Sequence, residues 1–243
     1  MKSYKTYGII LKRINLGEAD RIVTAYTYEL GKIKFIAKGV RKIKSRLAGS
    51  IEPFYFSDLV LSQGKNLDIL TSASIRKIAI KDEKNLALIK LASFLAELID
   101  KMLPENSPNV KLFDLLEEIL DYINEEKRLD LLRFYFESKF YQLSGVFPET
   151  FVCVKCGRKL EGEVFFSAQA GGVTDESCRL SYNDSRKINM KAVKVWRFTS
   201  EHSFLELKKL KIPDSIKEEI VEISNGYLSY VTQRDFNSDK IEI

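Results

Sequence analysis

Along the first eighty residues, apolar and polar positions alternate at the two-residue period of strands. Segments 4–14 (YKTYGIILKRI), 21–28 (RIVTAYTY) and 32–38 (KIKFIAK) are rich in β-branched and aromatic residues, with turn signals at Asn15–Gly17 and Glu29–Gly31 between them. Segments 54–62 (FYFSDLVLS) and 66–75 (NLDILTSASI) flank Gln63-Gly64-Lys65, which reads as a hairpin turn. Five short strands, one longer connection over 39–50 and no intervening helix predict a small closed Greek-key barrel. An OB-fold is the economical choice, because it has five strands and binds oligonucleotides on an open face. A five-stranded SH3-like barrel fits the pattern nearly as well.

After Lys81 the period lengthens. Leu88, Leu91, Leu95, Leu98 and Met102 recur at spacings of 3 and 4, one stripe of an amphipathic helix with Asp82 as its N-cap and Pro104 and Pro108 as its stop. A second helix runs through Leu112, Leu115, Ile119 and Ile123, and a third through Leu129, Leu132, Phe136, Phe140 and Leu143 to Gly145. Two more are expected near 189–198 and from Pro213, at the first helical position, to about Thr232. Such stripes are core contacts of a bundle before they are anything else. The expectation is an α+β chain: a barrel domain over 1–81, then a helical domain over 82–243, interrupted at about 150–182 by a cysteine segment.

That segment opens with Cys153-Val-Lys-Cys156-Gly157, a tight knuckle that points two thiolates at one ion. A structural site wants a second knuckle about 15–20 residues on. There the chain has Asp175-Glu-Ser-Cys178, just after Gly171-Gly172, with a carboxylate in place of one sulfur. Aspartate is an accepted zinc ligand, so Cys153, Cys156, Asp175 and Cys178 make a chemically competent set. A degenerate, metal-free knuckle and redox chemistry are the other two readings. An odd number of cysteines in one short segment suits a reducing cytoplasm, not a disulfide framework. The single histidine, His202, lies outside both knuckles and reads as a surface or helix-start residue.

Charge sharpens the picture. Between Lys32 and Arg46 the chain reads KIKFIAKGVRKIKSR, with seven basic side chains in fifteen residues and no carboxylate. Residues 1–81 carry 16 Lys and Arg against 6 Asp and Glu, a net +10, whereas residues 82–243 carry 23 against 28, a net −5. A basic run can be a solvated loop, but a concentrated positive field on one module favours phosphate neutralisation with counterion release. Lys12, Arg13, Arg21, Lys32, Lys34, Lys38, Arg41, Lys42, Lys44 and Arg46 are the candidate nucleic-acid contacts. Tyr26, Tyr28, Phe35 or Tyr55 has the chemistry to stack on bases, although barrel aromatics are more often core, and none is assigned.

Other classes find little support. No apolar run is long enough to span a membrane, and the first ten residues, MKSYKTYGII, lack the long apolar stretch of a secretory signal. There is no G-x4-G-K-[ST], G-x-G-x-x-G or G-x-S-x-G, and one histidine leaves no room for most histidine-dependent triads. Carboxylate pairs such as Glu117-Glu118 and Glu125-Glu126 fall on helices, where they are solvated faces. The chain is not expected to be an enzyme.

In order, Gly8-Ile-Ile-Leu-Lys-Arg13, Gly17-Glu-Ala-Asp-Arg-Ile-Val23, Gly31-Lys32-Ile33, Ala37-Lys-Gly-Val-Arg41, Lys44-Ser-Arg-Leu47 and Glu52-Pro53-Phe54 resemble the RecO family of bacterial recombination mediators. Farther on, C-x2-C-G, then Gly-Gly, then a second knuckle resembles the zinc-containing branch of that family, with Asp175 standing where the branch carries a cysteine. The resemblance implies an N-terminal OB-fold, a helical domain and a zinc-ribbon-like insertion. It also implies binding of single- and double-stranded DNA, annealing of complementary strands, and loading of RecA onto strands coated with single-strand-binding protein (SSB), together with RecR. The SSB contact would be its acidic C-terminal tail, and the location would be the bacterial cytoplasm, at the nucleoid. Two rival classes share some features. An RNA- or ribosome-associated OB protein would share charge and barrel without the ordered N-terminal match. A zinc-dependent nucleic-acid enzyme would need a base beside the metal, and the knuckles offer at most Glu176.

Overall fold

In the computed structural model, which describes residues 2–234 and 236, the alternating segments form strands β1 (Ser3–Leu16), β2 (Asp20–Thr27), β3 (Gly31–Ala37), β4 (Tyr55–Ser62) and β5 (Asp68–Ile78). They close into a barrel of order β1-β2-β3-β5-β4, that of an OB-fold, with β3 and β5 parallel and the other pairs antiparallel. β1 is long enough to serve two neighbours. Its first half (Ser3–Ile9) pairs with β4 and its second half (Gly8–Leu16) with β2, and a bulge between Ile10 and Lys12 bends it. The period-2 pattern sends Ile10, Val23, Ala25, Ile33, Phe35, Leu59, Leu61 and Leu70 inward as one core. The expected three-residue turn at 63–65 is a longer connection, 63–67, because Gly64 lies against the Leu67 carbonyl and Asp68 accepts from the Gly64 N–H at 3.1 Å.

Helices α1 (Leu86–Met102) and α2 (Val110–Tyr122) group with the barrel in one compact unit, which ends at Glu126 and also takes in Phe236. Their apolar stripes cover the outer barrel face: Phe113 of α2 lies 5.5–6.3 Å, ring centre to ring centre, from Tyr7, Tyr26, Tyr28 and Phe56. Asn85, not Asp82, caps α1, its side chain accepting from the Ala87 and Leu88 N–H groups; Asp82 instead takes the Lys84 N–H in the preceding turn.

The second unit, Lys127 to Arg234, holds α3 (Leu129–Leu143), α4 (Met190–Glu201), the short α5 (Phe204–Leu207) and α6 (Asp214–Thr232). Pro213 is the cap residue of α6 and not its first helical residue, since its ψ of 147° is extended. Between α3 and α4 lies a three-stranded sheet of order β7-β6-β8, from Gly172–Asp175, Val164–Ser167 and Arg186–Ile188. Trp196, fully buried, joins sheet to helices through Phe166, Phe134 and Tyr227 at 5.3–6.1 Å. Among the described residues no helix is long and apolar enough to cross a membrane.

Candidate nucleic-acid interface and metal centre

The connection from β3 to β4 is held at its base and open at its tip. Val40 is buried in the barrel core. The Gly39 N–H donates to the Asp20 carboxylate (2.8 Å), the Arg41 N–H to the Ala19 carbonyl (3.0 Å) and the Arg41 guanidinium to the Gly17 carbonyl (2.7 Å), tying the loop to the β1–β2 turn. Beyond these ties the chain turns twice, with the Lys42 N–H on the Gly39 carbonyl (3.2 Å) and the Ser45 N–H on the Lys42 carbonyl (2.9 Å). Lys38, Arg41, Lys42, Lys44 and Arg46 are all exposed here, and among the described residues none of them pairs with a carboxylate.

The other five basic candidates are already neutralised. Lys12 pairs with Asp100 of α1, Lys34 with Glu105 at 2.5 Å, and Arg13 and Arg21 share Glu52. Lys32 is turned inward, only 6% exposed, its ammonium on the Asp100 backbone carbonyl and 3.7 Å from that residue's carboxylate. Burial pushes its pKa down, with Asp100 opposing, whereas the hydrogen bond to Glu105 pushes that of Lys34 up. Of the aromatics, Tyr26 and Phe35 are core. Tyr28 stands edge-on to Phe113, and Tyr55 is half-buried with its hydroxyl 3.5 Å from Glu83.

The cysteine segment is assembled by backbone. Gly157, at φ +72°, lets its N–H return to the Cys153 carbonyl (2.8 Å), while the Cys153 N–H donates to the Arg158 carbonyl (2.8 Å), closing the first knuckle. The second knuckle follows β7, and Asp175, whose side chain accepts from the Cys178 N–H at 2.9 Å, caps the short helical turn Glu176–Ser181. Reciprocal bonds bring the two together: Glu149 N–H to the Gly171 carbonyl (2.9 Å), Val173 N–H to the Glu149 carbonyl (2.8 Å) and Val154 N–H to the Val173 carbonyl (2.9 Å). Only glycine fits at 172, where a Cβ would lie 2.3 Å from the Glu149 carbonyl oxygen.

As a result Cys153, Cys156, Asp175 and Cys178 offer four ligand atoms within 4.8 Å of one another and could hold one metal ion. An ion with four arms of about 2.0–2.3 Å needs donor edges of about 3.3–3.8 Å, so small side-chain movements close the cage. Cys153 is buried, Cys178 and Asp175 half-buried and Cys156 exposed. Arg158, which the motif reading did not single out, donates Nε to the Cys156 sulfur (3.3 Å) and a second nitrogen to Ser177 Oγ (3.0 Å). Its signal was its place two residues after the second cysteine. That hydrogen bond lowers the Cys156 thiol pKa, burial raises that of Cys178 to about 11, and bonds from Ser177 and Cys156 hold the Asp175 carboxyl well below the usual range. His202 takes no part: it stacks on Phe198 at the end of α4.

Known families agree with this architecture. The family model described as Recombination protein O N terminal matches residues 1–79, and Recombination protein O C terminal matches residues 84–240. The chain is 32% identical to the DNA repair protein RecO of Dehalococcoides mccartyi over 96% of its length and 92% of that protein. It is 30% identical to the protein of the same name from Alkaliphilus metalliredigens, over 98% of this chain and 97% of that one. An N-terminal barrel, a helical unit and a cysteine cluster in the expected order, matched along the whole chain by relatives of one name, place this chain in the RecO family of DNA repair proteins.

Proposed function

We propose that the chain is a recombination mediator that binds single- and double-stranded DNA through the barrel of residues 1–81, anneals complementary strands and, with RecR, helps load RecA onto SSB-coated single strands. The observation that carries this reading is the anchored loop with its exposed cations, unpaired with any described carboxylate, at Lys38, Arg41, Lys42, Lys44 and Arg46. Phosphate contacts of this kind are independent of sequence and suit a protein that handles any damaged site. Lys12, Arg13, Arg21 and Lys34, paired at rest, would join only by exchanging a carboxylate for a phosphate. Annealing requires two strands side by side with their repulsion screened, and a basic face supplies that with no bond-making step. Changing all five loop cations to alanine should lower affinity similarly for every DNA sequence. It should also flatten the salt dependence by about 0.7–0.9 for each phosphate no longer neutralised. An unchanged slope would return the loop to a solvated role.

Residues 82–243 carry the partner contacts in this reading. Binding of SSB should weaken with salt and vanish for SSB lacking its acidic C-terminal tail; undiminished binding to the truncated form would refute the tail as the contact. The cysteine cluster holds one structural zinc, because three sulfurs and a carboxylate oxygen are a donor set that zinc accepts. Annealing without ATP or Mg²⁺, leaving the strands chemically unaltered, separates this function from an RNA scaffold and from a nuclease.

A further inference from the structure

We propose that Ile43 is an apolar wedge that enters between adjacent bases of a strand held by the loop, a role that rests on the nucleic-acid reading of that loop. Ile43 has a relative exposure of 104%, the highest among the large hydrophobic side chains of the described residues, and Leu180 follows at 87%. Its place is set by hydrogen bonds. The 2.9 Å bond from the Ser45 N–H to the Lys42 carbonyl makes residues 42–45 a turn with Ile43 and Lys44 at its two central positions. Arg41, tied to Gly17 and Ala19, fixes the approach to that turn. The aliphatic blade is therefore presented at the apex, with Lys42 and Lys44 on either side and Arg41 and Arg46 beyond, all exposed.

An exposed isoleucine between such cations selects its ligand by chemistry. The cations require an anion, and the blade requires an apolar slot one side chain thick beside that anion. A polynucleotide offers both at a fixed spacing, phosphates outside and a base step inside, and isoleucine is among the side chains that proteins insert between base steps. An anionic membrane would also satisfy the cations, but it rewards an apolar face, whereas this loop offers one side chain with charged neighbours. Branching at Cβ restricts the χ1 angle of isoleucine, so a wedge of this type is already stiff before it inserts.

The test uses the full chain. Trp196, the single native tryptophan, is completely buried, so in an Ile43→Trp variant the introduced indole is the responsive fluorophore. Titration with oligothymidylate should quench it in step with binding followed by anisotropy. With native protein, a strand carrying 2-aminopurine should brighten as the base unstacks, and Ile43→Ala should abolish that brightening. Ile43→Ala should also lower single-strand affinity roughly tenfold while leaving the salt slope unchanged, since every phosphate stays neutralised. An unquenched indole at saturation, or native affinity and native brightening with Ile43→Ala, overturns the wedge and leaves the phosphate reading intact. If Lys42→Ala and Lys44→Ala leave the salt slope unchanged, the loop does not hold the strand and both readings fall. An indole that shifts blue with anionic phospholipid vesicles but ignores the oligonucleotide overturns the wedge in favour of a membrane surface.

Discussion

Single residues show how neighbours decide the worth of a charge. Lys32 and Lys38 sit six positions apart in one basic run, yet the first is sealed against Asp100 and the second is open to solvent. Glu137 is a case in the second unit: 1% exposed, it takes the Arg133 guanidinium at 2.8 Å and the Ser224 hydroxyl at 2.5 Å. Replacing it with alanine removes a buried carboxylate that a cation and a hydroxyl both face, and Glu137→Ala should cost about 3–5 kcal/mol in denaturant melts. Gly31 makes a backbone counterpart. Its φ is +69°, and a Cβ there would lie 2.3 Å from the Ser107 carbonyl oxygen, so Gly31→Ala should lower the melting temperature of the barrel unit even though only a methyl is added.

At the scale of elements, the alternation that places Val23, Ala25 and Phe35 inside the barrel could be read directly, because a strand exposes its period in consecutive letters. The stripe of α2 was equally plain, but a stripe says only that a face is buried and not against what. Hence the packing of Phe113 on Tyr7, Tyr26, Tyr28 and Phe56 was not legible, nor was the neutralisation of Lys12, Lys32 and Lys34 by Asp100 and Glu105. These contacts join segments far apart along the chain, which no local pattern encodes. The candidate metal-ligand set was legible because its geometry is local twice over, in two short knuckles at a recognisable interval. Metal analysis of protein purified without chelator should give close to one zinc per chain, and Asp175→Cys should tighten it. Cys153 is buried as well as a candidate ligand, so Cys153→Ser should loosen residues 150–180 in hydrogen exchange while DNA binding by the barrel is retained.

For the whole molecule, the division into two compact units separates two chemistries. The exposed loop cations belong to the first unit and the cysteine cluster to the second, so chelator treatment should leave the salt dependence of DNA binding unchanged. The same loop has a further consequence for how the barrel is joined. β3 and β4, which it connects, do not pair with each other; β3 is held by β2 and β5, and β4 by β1 and β5. Trypsin, which cuts after exposed lysine and arginine, should nick the tip at Arg41, Lys42 or Lys44, and a bound oligonucleotide should shield it. The two pieces should nevertheless co-elute until denatured, since β1 pairs with β4 and β3 with β5 across the break. The tip is thus a seam at which the chain should tolerate division, and two polypeptides made separately on either side of it should restore the barrel through those strand pairs when mixed.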